Sequence, residues 1–135
     1  MKRMWLYCIT VAAIAVITAA FVVFADDTDY TNTEFLSGYG WIVSSRAVER
    51  VSLRLPDAPD DVYNQYNRIQ LEAGLDLTPY YGSECVRYTY IVLNYPEQTD
   101  SEVRANVLCV DGKPVAGDIM TVASDGFMRS LVFPQ

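Results

Sequence analysis

Apolar and polar positions divide the chain sharply near residue 25. Met4 to Ala25 reads MWLYCITVAAIAVITAAFVVFA, 22 uncharged residues that are nearly all apolar. As a helix at about 1.5 Å per residue this stretch crosses the ~30 Å hydrocarbon core of a bilayer. Residues 1–25 are therefore expected to be a signal-anchor or transmembrane helix. Asp26 to Thr33 is short, acidic and polar and reads as a tether. Residues 34–135 then carry the alternations of one folded domain, enough for a single core and too few for two.

Within that domain, Thr33 to Gly38 has a threonine cap and a glycine stop and predicts a short helix, followed by Gly40-Trp41-Ile42-Val43 as a first strand. Val51 to Leu55 alternates apolar and polar positions and is closed by Pro56, so it reads as a half-buried strand. The main helix follows. Asp57, Pro59, Asp60 and Asp61 place proline and negative charge where a first turn favours them, and Val62, Tyr66, Ile69 and Ala73 recur as one stripe before Gly74. From Glu84 the period becomes two. Glu84–Asn94 and Val103–Val110 predict two strands, and Asp111-Gly112 predicts a hairpin into a third over Val115–Val122. Phe127 to Phe133 makes a last strand. The expected fold is α+β, an N-terminal transmembrane helix and then one antiparallel sheet packed against one main helix.

Charge adds a direction and an exclusion. The chain has 10 basic and 17 acidic residues, a formal −7. Lys2 and Arg3 precede the apolar stretch and every acid follows it, which leaves 8 basic against 17 acidic residues and −9 in the remainder. By the positive-inside rule the N-terminus stays in the cytoplasm and the domain lies outside a single-pass cell membrane. The alternative is secretion after signal cleavage near Ala25, for which Val23-Phe24-Ala25 offers a small-residue site. Membrane lipid, through residues 4–25, is one expected partner, and an envelope protein or glycan is another. Such an acidic domain offers no patch for nucleic-acid phosphates. Histidine is absent, which removes imidazole as base, proton shuttle or metal ligand. No cofactor or metal motif and no paired-carboxylate motif is present, so no catalytic residue is assigned.

Three sets of residues invite chemistry. If the strands over 84–94 and 103–110 pair, some registers bring Cys85 opposite Cys109; a disulfide and two buried thiols both fit. A two-residue turn at Asp111-Gly112 would put Asp118 opposite Ala105, on the apolar face, as a carboxyl of perturbed acidity or as the partner of an arginine such as Arg87 or Arg129. Tyr88 and Tyr90, two apart on one strand, either present a tyrosine face for stacking or fill the core.

The ordered set Phe35-Leu36, Gly40-Trp41-Ile42-Val43, Leu55-Pro56, Val62-Tyr63, Tyr66-Asn67, Gln70, Gly74-Leu75-Asp76-Leu77, Tyr80, Gly82, Arg87-Tyr88-Thr89-Tyr90, Asn94-Tyr95-Pro96, Val103-Arg104-Ala105-Asn106, Gly117-Asp118 and Asp125-Gly126-Phe127-Met128 resembles an uncharacterised bacterial family, the domain of unknown function 4830 of anchored or secreted Firmicutes proteins. The resemblance runs from Glu34 to Leu131. It implies a small extracytoplasmic domain, supplies no catalytic residues and gives Cys85 no role. The expected function is that of a non-enzymatic, membrane-anchored binding or interaction module. A cell-envelope hydrolase working through Asp118 and a structural accessory subunit of a membrane complex are the alternatives.

Overall fold

The computed structural model describes residues 27–135. The expected span over residues 4–25 lies outside them. Among the described residues no helix is long and apolar enough to cross a membrane.

Five antiparallel strands form one sheet in the order of the sequence: β1 (Glu49–Arg54), β2 (Glu84–Ile91), β3 (Val103–Val110), β4 (Lys113–Thr121) and β5 (Met128–Arg129). Among the described residues two α-helices accompany it, α1 over residues 27–37 and α2 over Asp61–Glu72. The α+β class stands, but the sheet carries a buried apolar cluster on each face. Strand alternation assigns the faces. Tyr90, Ala105, Val107, Cys109 and Ile119 point to the side of Leu36 on α1, whereas Cys85, Leu108 and Ala116 point to the side of α2, with Leu55 and Leu77. Fully burying a leucine such as Leu36 or Leu77 contributes roughly 1.5–3 kcal/mol.

The segment 27–33, expected to be tether, is instead the described start of α1. Its polar residues are what fix it: the Tyr90 hydroxyl donates to Asp29 Oδ1 at 2.8 Å, Asn32 Nδ2 donates to the Tyr90 hydroxyl oxygen at 3.1 Å, and the Cys109 thiol donates to Asn32 Oδ1 at 3.2 Å. Polarity here signals a buried network rather than solvation, because polar groups can be buried when each finds a partner.

α2 follows its sequence signals closely at both ends. Asp60 is the cap, its Oδ1 accepting from Tyr63 N at 2.9 Å. Gly74, at φ +76°, lets Leu75 N return to Gln70 O at 2.9 Å and Gly74 N to Leu71 O at 3.1 Å, a paired glycine stop. The predicted stripe is displaced. Val62 is 70% exposed, while Asn67 and Gln70 are buried. Asn67 Oδ1 accepts from Leu77 N at 2.7 Å, and Gln70 Oε1 accepts from Gly117 N of β4 at 2.8 Å.

The hairpin at Asp111-Gly112 forms as expected, with both residues at positive φ and Val110 facing Lys113. The register beyond it differs. Cys109 faces Pro114 but Leu108 faces Ala116, so Val115 is an extra residue on β4. This bulge shifts every later pair by one and thereby exchanges the faces. Of the other expected strands, Gly40–Val43 contributes only the bridge Val43 to Val92, and 127–133 only β5.

Candidate functional site

The bulge decides where Asp118 goes. It pairs with Asn106 instead of Ala105 and so turns to the α2 side, the reverse of the expected face. There it forms the floor of an open groove of about 610 Å³ between α2 and the sheet. Tyr63, Tyr66 and Ile69 of α2 form one wall, Leu53, Leu108 and Met120 the sheet side, and Val62 and Met128 an exposed apolar lip. Among the described residues, Arg87 is the one basic side chain and Asp118 the one acid lining it.

Asp118 is only 2% exposed, and both its oxygens are engaged. The Tyr66 hydroxyl donates to Oδ2 at 2.7 Å and Asn106 Nδ2 donates to Oδ1 at 3.0 Å. Thr89 extends the chain, its hydroxyl donating to Asn106 Oδ1 at 2.6 Å. Burial raises the pKa of Asp118 above the ordinary carboxyl value, and the bonds from Tyr66 and Asn106 and the charge of Arg87 only partly offset it. Burial and the facing carboxylate push the Tyr66 phenol well above its ordinary value, so it stays a donor. Arg87 donates through Nη2 to Glu49 Oε1 at 2.6 Å, whereas its Nε is screened from water and has no partner among the described residues.

Arg129, the other arginine considered for Asp118, goes elsewhere. Its Nη1 donates to the Tyr95 hydroxyl at 2.6 Å and its guanidinium lies 4.1 Å from the centre of the Phe127 ring.

The tyrosine pair does not line the groove. Tyr90 is 0% exposed in the α1-side core, and Tyr88 lies on the same side with the Arg50 guanidinium 5.6 Å from its ring centre. Cys85 and Cys109 are one register step apart, Cys85 facing Leu53 and Cys109 facing Val86, which sends them to opposite faces. Both are free buried thiols, and the cross-strand disulfide does not form. Burial raises the pKa of Cys85 and pushes that of Cys109 up to about 11, so neither is an activated nucleophile.

Tyr66, Asn106 and Arg87 are the residues that join Asp118 into a site. Of these, Tyr66 and Arg87 had sequence signals, as a stripe member and a charge partner. Asn106 alternates with apolar neighbours along β3; the second apolar cluster covers its face, and the bulge brings Asp118 onto that face beside it. Among the described residues no cluster of three or more Cys, Asp or Glu side chains could hold a metal.

An apolar trough with a few fixed polar groups is the usual form of a small-ligand site, and the two titratable groups in contact there, Asp118 and Tyr66, are bonded to each other. Comparison with curated proteins and with solved structures finds no match in either. A family model does match, over residues 35–119, which include Asp118, Arg87, Asn106 and all of α2. The chain belongs to that family, the domain of unknown function DUF4830.

Proposed function

We propose that this protein is a non-enzymatic binding module, held by its apolar N-terminal segment at the outer face of a cell membrane, that takes a ligand in the groove between α2 and the sheet. The observation that carries the reading is the groove itself: about 610 Å³, walled by apolar side chains, with Arg87 and Asp118 at its floor. Its volume falls within the ~300–1,000 Å³ of small-molecule pockets. The apolar run over 4–25, with Lys2 and Arg3 ahead of it and Asp26 and Asp27 behind it, supports the outward orientation. A hydrolase acting through Asp118 lacks support, because the carboxyl has both oxygens occupied and no second acid among the described residues lines the groove.

One labelling experiment tests location and site together. Gln65→Cys puts a thiol on the exposed rim of the groove and Asp111→Cys puts one on the hairpin turn. In intact cells a membrane-impermeant maleimide should label both, and an extract of envelope small molecules should slow labelling at 65 alone. Labelling only after lysis would contradict the outward orientation. Equal rates at both positions, with and without extract, would contradict a ligand in the groove.

A further inference from the structure

The groove is built for a ligand with one kind of head and one kind of tail. Its apolar walls include Met120 and Met128, whose unbranched flexible side chains conform to a chain-like partner. Its polar content is unbalanced. Asp118 has both oxygens engaged, so it offers little to an incoming group. Arg87 uses one donor on Glu49 and keeps a buried Nε–H without a partner among the described residues, and a screened donor of that kind marks a place where an acceptor is missing. Both members of the Arg87–Glu49 pair remain part-exposed, so the pair can open without uncovering a buried charge.

We infer that the groove binds a small amphipathic carboxylate, an aliphatic chain lying along Leu53, Ile69, Met120 and Met128 with its carboxylate taken by the Arg87 guanidinium in competition with Glu49. This rests on the reading of the groove as a ligand site. Arginine suits the task because its planar fork matches two carboxylate oxygens, and the apolar surroundings strengthen the pair.

The test uses the full chain in phosphatidylcholine nanodiscs, with empty nanodiscs as the blank, and two probes of equal chain length, octanoate and octanol. Octanoate should bind saturably above the blank and octanol at least about tenfold more weakly, the worth of one charge-assisted pair. Arg87→Gln should reduce octanoate to the level of octanol, and Glu49→Gln, at a part-exposed site, should tighten octanoate severalfold by freeing the guanidinium. Equal binding of both probes, unchanged by Arg87→Gln, would overturn the carboxylate assignment while leaving a ligand groove in place. Glu49→Gln binding octanoate no tighter than the native chain also counts against it, and serves if Arg87→Gln fails to fold. Binding of neither probe overturns the inference, and the labelling of Gln65→Cys then shows separately whether the groove takes another ligand.

Discussion

Replacing Tyr66 by phenylalanine removes one oxygen and leaves the ring in place, so it isolates the bond from the Tyr66 hydroxyl to Asp118 Oδ2 at 2.7 Å. The size of the effect depends on the charge of Asp118. With the carboxyl protonated, the loss is that of an ordinary hydrogen bond, about 0.5–1.5 kcal/mol; with the carboxylate ionised it is about 1.5–3 kcal/mol, because a buried charge loses a donor. The sign with pH follows from the direction of the shift. Burial raises Asp118 in the folded state, so its contribution to stability is fully present below the unfolded carboxyl value and is lost as pH rises through the raised folded value. The Tyr66 bond works against that rise, so Tyr66→Phe lets the loss continue to higher pH. Urea unfolding of the full chain in nanodiscs, followed by near-ultraviolet circular dichroism from about pH 4 to about pH 8, should show the two stabilities separating by roughly 1 kcal/mol more at the upper end, with slopes unchanged. A constant difference across that range would refute the coupling, and a difference that closes as pH rises would reverse its sign.

Three further outcomes follow from the packing. Gly117→Ala should destabilise by about 1–3 kcal/mol or more in the same unfolding assay, since a Cβ there would sit 2.6 Å from the Asn106 carbonyl oxygen and 2.9 Å from Leu131 Cδ1. Asn32→Leu should cost about 1–3 kcal/mol, because the Cys109 thiol and the Tyr90 hydroxyl each lose a partner inside the core; a change below a few tenths would mean that α1 is not fixed through this network. Cys85 and Cys109 should resist a thiol reagent at pH 8 in the native chain and react fully in urea, with no mass change on reduction, since both are buried and free.

Legibility in the sequence tracked the range of the interactions. The ends of α2 and the hairpin at Asp111-Gly112 depend on a capping aspartate and on glycines that take positive φ, so they could be read locally. Where a buried polar residue does the packing, apolar periodicity gives the wrong face. Asn67 and Gln70 anchor α2, and Val62, a member of the apparent stripe, stands at the groove lip. The same error made a tether of the segment that holds Asp29 and Asn32. Strand alternation marks Asp118 as an inward carboxyl, and the structure buries it on the face opposite to the one the alternation predicts. A single extra residue, Val115, reverses the parity of β4 relative to β3, and nothing local in Lys113–Thr121 announces it. A separate register, that of β2 against β3, puts Cys109 opposite Val86 and so parts it from Cys85.

The groove as a ligand site is the centre of the account, and the methionines report on it directly. Of the four in the chain, Met120 and Met128 line the groove, and Met1 and Met4 lie in the N-terminal segment. Methyl spectra of the full chain carrying labelled methionine, titrated with octanoate in nanodiscs, should show the resonances of Met120 and Met128 shifting together to saturation, and in Arg87→Gln the same shift should need at least about tenfold more octanoate. Resonances of Met120 and Met128 that stay in place, or that move without saturating and in step with Met1 and Met4, would contradict it.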